Sequence, residues 1–383
     1  MQNKPKLYIL GINYAPELVG IGPFTAQMAE ALACQWEVHA FTSFPYYPKW
    51  EKIPLQTPKT EGTNPKITRF WNYVPSRPKI LFRLLHELLF AFQIFFYLLV
   101  HRRPSKIIVV APPIFLAYAA YVLGVIWRVP VLVHFQDIQP DAALALYPHL
   151  RSWFSPLFTV NRFMLRRTQV TTIHEGMQEH IHRTYGVTGT VFPNWVRQTQ
   201  DQAAPSTPKL LYSGSLGEKY SGYLGDTHSG LFPFLRQCIL QQLDVTIVGA
   251  GPQLVKLKKE FPQFSYLDIL SDADYARTVL SHTHLIVAQN PALQHMLMPS
   301  KLLAAVSFAR PVVLIGTESP ASHWLEKYQL GTLWSSGTIT LPPNPSRQNI
   351  EQARKDYDLT EILSRHNYLQ DLSKISSGIT LPI

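Results

Sequence analysis

Short apolar runs alternate with helical stretches along the chain, and the alternation happens twice. KLYILGI, EVHAFT, KIIVVA, VPVLVHF and VTTI are short runs rich in branched side chains, the composition of buried strands. FTAQMAEALA and residues 80–100, 115–127 and 153–167 lie between them with helical character. This is the βαβ rhythm of a doubly wound parallel sheet. The stretch PNWVRQTQDQAAPSTP, Pro193–Pro208, has the composition of a linker. After it the rhythm restarts with KLLYSG, DVTIVGAG, FSYLDI, THLIVAQ, RPVVLIG and GTLWS as strands. The pattern predicts an α/β chain of two Rossmann-like domains facing a central cleft, residues 1–200 and 201–345. A tail, residues 346–383, is free to cross back to the first domain. KTEGTNPK and SSGTITLPPNPSRQ read as loops. At 383 residues the chain is too long for one ordinary core, which agrees with two domains.

One segment breaks the rhythm. ILFRLLHELLFAFQIFFYLLV, Ile80–Val100, is long and apolar enough for a membrane span. About 15 apolar residues at roughly −0.5 kcal/mol each offset Arg83 and Glu87 at about +3 each. Arg83, His86, Glu87, Gln93 and Tyr97 fall on one narrow stripe. A span would place KLYILGI and KIIVVA on opposite sides of a bilayer although both belong to one sheet. A buried core helix and an amphipathic helix dipped into a membrane face are the two readings that keep the sheet whole. Arg77, Lys79, Arg102 and Arg103 flank the segment and suit anionic headgroups.

Charge sharpens this. Residues 1–200 hold 20 Lys/Arg and 10 Asp/Glu, so the whole net charge of +10 sits there; the remainder balances at 15 and 15. A basic half suits a phosphorylated substrate, an anionic membrane or nucleic acid. Nucleic acid is the poorest fit, because the charges interleave with apolar runs and not with exposed stacking aromatics. Cys34 and Cys238 stand far apart and give neither a disulfide framework nor a zinc spacing, which points to a reducing compartment. The N-terminus reads as a first strand and not as a signal peptide.

In doubly wound sheets, ligands bind beyond the carboxyl ends of strands. NYAPELVGIGPFT follows the first strand and brings Gly20 and Gly22 to a helix start, where backbone N–H groups can approach a phosphate. HFQDIQPD delivers Asp137 just past a strand end, placed to orient a hydroxyl or to stabilise positive charge. His134 lies beside it as a second candidate for the catalytic chemistry. A helix cap is the alternative reading of Asp137, and a satisfied strand-end histidine that of His134. In the second half, Gly214, Ser215 and Gly217 form a flexible loop with Lys219 as a charge for phosphate. VGAGPQL, with Gly249 and Gly251, lacks the full dinucleotide fingerprint and reads as a tight turn passing near a nucleotide. MPSKLL sets Ser300 at an N-cap and Lys301 at a helix start, a place for an anion. Asp272 and Asp274 of SDAD have the spacing of a metal-holding pair but precede a helix, where capping favours aspartate. No other cluster has metal spacing.

NYAPE…GIGPFT, SFPYYPKW, APP, HFQDIQPDAA, FPNWV, YSGSLGEK, VGAGPQ and MPSKLL…ARPVV, in this order, resemble glycosyltransferase family 4, which has the GT-B fold. The nearest likeness is to the bacterial exopolysaccharide, colanic-acid type, over roughly residues 5–335. The resemblance implies a retaining, metal-independent transferase that needs no cofactor beyond a nucleotide-sugar co-substrate. It implies a donor held by the second domain and an acceptor held by the first. The implied acceptor is a polyprenyl-pyrophosphate-linked sugar at the cytoplasmic face of the plasma membrane, where the protein would be peripheral. By the same resemblance, Gly20 and Gly22 lie near donor phosphate and acceptor, and Asp137 beside the reacting centre. Gly214, Ser215 and Lys219 meet the diphosphate, Gly249 and Gly251 let the base lie against the backbone, and Ser300, Lys301 and Leu302 close the diphosphate cradle.

The sequence departs from the family at three points. Of two glutamates usual in the family, the second position falls on Ala304 and the first near Met296, and the usual glycine before Arg310-Pro311 is Ala309. A degenerate GT-B scaffold and a nucleotide-sugar 2-epimerase-like enzyme are the alternatives. Against the epimerase stands the apolar helix, and against the scaffold the retention of Lys219 and Lys301.

Overall fold

The computed structural model describes residues 4–366, apart from 18–19, 48–49, 54–64, 77–79, 140, 198, 200–201, 215, 217–229 and 252. The chain divides into two units, Met1–Pro193 with Leu363–Ile383, and Asn194–Ile362.

The first unit runs β1 (Lys6–Leu10), α1 (Gly22–Leu32), β2 (Glu37–Ser43), β3 (Lys66–Phe70), α2 (Ile80–Leu99), β4 (Lys106–Ala111) and α3 (Ile114–Trp127). It continues with β5 (Val131–Phe135), α4 (Asp141–Leu146), α5 (Arg151–Leu165), β6 (Gln169–Thr172), α6 (Glu175–Tyr185) and β7 (Thr190–Val191). Its seven strands lie in the order β3-β2-β1-β4-β5-β6-β7, all parallel. The order reverses between β1 and β4. Loops leaving those two strands diverge there and open a crevice at the strands' carboxyl ends. Sequence pattern finds β1, β2, β4, β5 and β6 but neither edge strand: β3, whose KITRF is half polar, and β7, which has only two residues.

The second unit comprises β8 (Lys209–Ser213), α7 (Leu231–Leu240), β9 (Asp244–Val248), α8 (Leu254–Glu260), β10 (Ser265–Leu267), α9 (Asp272–Leu280) and β11 (His284–Ala288). It goes on through α10 (Lys301–Phe308), β12 (Val312–Ile315), α11 (Pro320–Tyr328), β13 (Gly331–Trp334) and α12 (Arg347–Asp356), and α13 (Leu359–Arg365) begins in this unit and ends in the first. The parallel order is β10-β9-β8-β11-β12-β13, with the reversal between β8 and β11. Strand residues alternate between two cores: Val312 and Leu314 join one, Val313 and Ile315 the other. Helix α12 belongs to this unit, so the tail expected from residue 346 first completes the second unit, and the chain returns to the first only at Leu363. There His366 Nε2 lies 2.7 Å from the Val191 carbonyl.

Helix α2 packs along α3 and buries Phe90, Ile94 and Leu98 completely. Its other side is open: Leu81 is 73% exposed and Phe92 60%. Because β3 and β4, which it connects, lie in one sheet, α2 here is a surface helix of the domain.

The ARPVV segment has a structural explanation. Arg310 is fully buried, and its guanidinium donates to the carbonyls of His282 (2.9 Å), Gln202 (3.0 Å), Phe308 (3.2 Å) and Leu280 (3.2 Å). It thereby satisfies helix-end carbonyls with a full charge. Ala309 ends α10 at φ 50°, ψ 48°, the left-handed region where a Cβ is strained by about 1–2 kcal/mol. Ala309→Gly is expected to stabilise the protein by about 0.5–1 kcal/mol, after the added freedom of the unfolded chain is subtracted. Urea unfolding checks this; a lower midpoint would mean that Ala309 packing outweighs its backbone strain.

Candidate functional site

Residues converge at the strand-order reversal of each unit. In the first, the loop after β1 is fastened by Glu17. Its Oε1 accepts from the Tyr46 and Tyr47 amides, both at 3.1 Å, and Oε2 accepts from Asn13 Nδ2 at 2.8 Å. Burial raises the Glu17 pKa, and those two amides and Asn13 act against the rise. Arg69 ties the same loop through the Ala15 carbonyl at 2.5 Å. Gly20 turns at φ 78° with a Cβ position 3.2 Å from the Tyr47 ring, and Gly22 opens α1 where a Cβ would stand 3.2 Å from Glu17 Oε2. Both glycines therefore let the loop close on Glu17 and Tyr47.

Asp137 follows β5 into this crevice. It keeps some exposed surface but is crowded enough that burial pushes its carboxyl up to about 6, against the pull of the Arg83 charge. Glu87, one helical turn beyond Arg83 on α2, is pushed up to about 7 by burial, opposed by Arg83 and by a hydrogen bond with Gln139. Tyr47 feels Arg83, Asp137 and Glu17 together. Asp137, Arg83, Glu87 and Tyr47 thus form one electrostatic cluster. The spacing of polar residues on α2 signals Arg83 and Glu87 as a stripe; only the fold brings that stripe to Asp137.

His134 does not join them. It is 2% exposed inside β5, with Nδ1 3.0 Å from Thr171 Oγ1 and Nε2 2.9 Å from Gln136 Nε2. Burial lowers its pKa to about 4. Both ring nitrogens are spoken for, so the expected catalytic role gives way to that of a neutral core histidine.

The raised Glu87 pKa makes a stability prediction. Its ordinary value is about 4.3. A carboxyl raised in the folded state imposes no penalty below the unfolded pKa. The penalty grows as pH climbs towards about 7 and is complete above it. The protein is expected to lose stability between about pH 5 and pH 8, and Glu87→Gln to gain about 1–3 kcal/mol at the upper end. Urea unfolding at both pH values checks this: equal pH slopes for the two proteins would place the titration elsewhere.

In the second unit, Gly214 follows β8. Ser215, Gly217 and Lys219 lie outside the described residues. The Gly214 amide donates to the Val248 carbonyl (3.0 Å), Leu216 to Ala250 (3.0 Å) and Gln253 to Leu216 (3.2 Å), so the loops after β8 and β9 are laced backbone to backbone. Gly249, at φ 153°, would place a Cβ 2.0 Å from the Gly214 carbonyl oxygen; Gly251, at φ 151°, 2.5 Å from that of Leu216. The close approach expected of a nucleotide base is made here by the protein's own backbone.

Lys301 opens α10 with its Nζ 5.4 Å from the Tyr275 ring centre. Burial lowers its pKa, the Arg197 charge adds to that, and Asp272 opposes it. Tyr275 OH lies 3.1 Å from Ser213 Oγ at the end of β8. Arg197 pairs with Asp272 at 2.6 Å. Two cations, a helix start and two hydroxyls thus gather at the β8–β11 reversal. Arg197, next to the FPNWV motif, was hidden in an apparent linker. Ser300 precedes α10 in a helical conformation and makes no side-chain cap, contrary to expectation; the residue is exposed at the helix start. Leu302 is completely buried in the core and its amide donates to the Pro299 carbonyl at 3.1 Å, so neither group serves a diphosphate. Asp272 and Asp274 occupy the first turn of α9, capped by Ser271, and Asp274 bonds Arg277.

These two parallel-sheet units define the GT-B glycosyltransferase class of fold. Sucrose-phosphate synthase from Thermosynechococcus elongatus superposes with a TM-score of 0.69 at 13% identity, covering 95% of this chain and 98% of that one. HepE of Anabaena, in complex with UDP-glucose, gives 0.56 at 12% identity, covering 96% of each. Residues 19–195 match the family described as a glycosyl transferase 4-like domain. A protein of Escherichia coli (strain K12) named for a glycosyl transferase of colanic acid biosynthesis, WcaI, is 32% identical over 343 residues, 78% of this chain and 80% of its own length. The chain belongs to this glycosyltransferase family.

Proposed function

We propose that the chain is a retaining, metal-independent glycosyltransferase of cell-surface polysaccharide biosynthesis. It takes a nucleotide-sugar donor on the second unit and a lipid-linked acceptor on the first. The observation that carries the donor half is the Lys301–Arg197 pair at the start of α10. Breaking a glycosyl–phosphate bond leaves negative charge on a nucleoside diphosphate. Preformed cations and a helix start oppose that charge in a partly desolvated place, where they act most strongly. Asp137 orients the acceptor hydroxyl. Neither Met296 nor Ala304 presents a carboxylate to act as a nucleophile. The acceptor oxygen therefore attacks the sugar on the face the phosphate leaves, and the departing phosphate receives its proton.

The acceptor half rests on α2. Leu81, Leu85, Leu88, Phe92 and Phe96 are exposed along it, and Val122, Val125 and Ile126 continue the apolar surface on α3. Exposed Arg102, Arg103 and Arg128 close the C-terminal ends of the two helices. Apolar helix faces with basic ends suit the surface of an anionic membrane, so we place the protein at the inner face of the plasma membrane. Purified protein in detergent, given a lipid-linked acceptor and a panel of nucleotide sugars, is expected to release nucleoside diphosphate from one donor. Binding of a donor without any turnover would instead support the scaffold reading that Ala304 and Met296 suggest.

A further inference from the structure

The HFQDIQPDAA motif carries a second aspartate, Asp141, that the transferase reading leaves unused. It opens α4 and is 4% exposed. Both carboxylate oxygens accept from α6: His180 Nε2 lies 2.9 Å from Oδ1, and Tyr185 OH donates to Oδ2 at 2.5 Å. Burial, and then the Asp141 charge, raise the Tyr185 pKa, so the phenol keeps the proton it donates. The Tyr185 oxygen in turn accepts from Asn161 Nδ2 of α5 at 3.3 Å, and Asn161 Oδ1 accepts from Tyr118 OH of α3 at 2.5 Å. Asn161 and Tyr185 are completely buried. Helices α3, α5 and α6 thus feed one hydrogen-bonded chain that ends on Asp141 at the start of α4.

Asp137 lies in the same loop, between β5 and Asp141, and the chain around it is tethered at both ends. The Gln136 amide donates to the Ala111 carbonyl at the end of β4 at 2.8 Å. Ile138 is buried, and its carbonyl accepts from the Ala142 amide at 3.0 Å. Asp137 therefore stands between an anchor on the sheet and a single turn that closes beside Asp141. The sheet anchor fixes where the loop begins. The direction in which it leaves depends on α4, which has only six residues and is gripped at its first. Charge-assisted hydrogen bonds to a buried carboxylate are short and directional, and losing one partner leaves that charge poorly compensated. Such contacts are what hold a reactive group on a loop in one place.

We propose that Asp141, gripped by His180 and Tyr185, is a positioning residue for the transfer reaction: it sets the Asp137 carboxylate against the acceptor hydroxyl without meeting substrate itself. His180, Tyr185 and Asn161 act through Asp141. This role rests on the reading of Asp137 as the group that orients the acceptor, but the placement of Asp137 is also measurable without substrate. A reacting group displaced by about 1 Å can lose about 100-fold in rate. A network that touches neither donor nor acceptor thereby governs kcat and leaves the donor site on the second unit alone.

The substrate-free test is carbon NMR of the whole chain, labelled at its aspartate carboxyls. Asp137 is identified as the resonance missing from Asp137→Asn and is expected to titrate at about 6. In Tyr185→Phe, which leaves the charge of the loop unchanged, the midpoint is expected to fall to about pH 5, towards the ordinary carboxylate range, because the released loop admits water. His180→Leu is expected to do the same, and His180→Gln, which keeps a donor, to hold the original midpoint. The kinetic test uses the lipid-linked acceptor and the nucleotide-sugar panel. Tyr185→Phe is expected to lower kcat about three- to tenfold and Asp141→Asn about tenfold or more, with the donor KM little changed. In the Asp137→Asn background neither is expected to cost anything further, whereas a weakened fold would multiply the losses. Multiplied losses in the double variants, or a midpoint unmoved in both Tyr185→Phe and His180→Leu, overturn the proposal. A midpoint that falls while Asp137→Asn transfers sugar at full rate sinks the acceptor-orienting reading of Asp137 and leaves Asp141 as the holder of its loop.

Discussion

Lys301→Ala is expected to lower kcat/KM roughly 30- to 1,000-fold, a loss of about 2–4 kcal/mol of transition-state stabilisation. The size follows from the site. Lys301 is crowded by Tyr275 and shares its place with Arg197, so its charge is poorly screened by water. Negative charge develops on the leaving diphosphate only as the bond breaks, so kcat falls more than donor affinity does. Loss of the charge does not itself cost stability. Burial and the Arg197 charge depress the Lys301 pKa, which means that the fold disfavours the protonated ammonium, so any loss in Lys301→Ala comes from the side chain's contact with Tyr275. Activity assays and urea unfolding on one preparation check both halves. Full turnover with every donor would remove Lys301 from the diphosphate site.

Gly249→Ala is expected to destabilise the protein by about 3–5 kcal/mol, more than most single substitutions. A Cβ there would lie 2.0 Å from the Gly214 carbonyl oxygen, which is backbone and cannot rotate away. Three main-chain hydrogen bonds lace the two loops, and they would have to part to relieve the clash. Gly337→Ala is the control: its φ is 77°, but a Cβ meets nothing within 4 Å, so only backbone strain of about 1 kcal/mol remains. Unfolding midpoints compare the two. Equal losses would mean that φ, and not the clash, decides the cost.

Much of the fold was legible because buried parallel strands carry a dense signal. KIIVVA and VPVLVHF are apolar on both faces because helices cover both. KITRF was not legible, since an edge strand needs only one such face and reads as polar. Part of the site was legible for a similar reason. Asp137 and Lys301 stand at a strand end and a helix start, places that local pattern reveals. Arg197 stands in a stretch that looks like a loop, and its importance lies in a partner far away in sequence, Asp272.

The sequence by itself determined the two-domain α/β rhythm, the basic first half, the apolar α2 and the order of the family motifs. All of these depend on composition and near-neighbour spacing. The tertiary structure decided what each residue does with its neighbours. It withdrew His134 into a core by bonding both its nitrogens, and gave Gly249 to a backbone contact. It turned Leu302 inward and set Arg83 beside Asp137. These outcomes depend on which strand ends the crossovers bring together, and no local pattern encodes a distance between residues that meet only when the sheet closes.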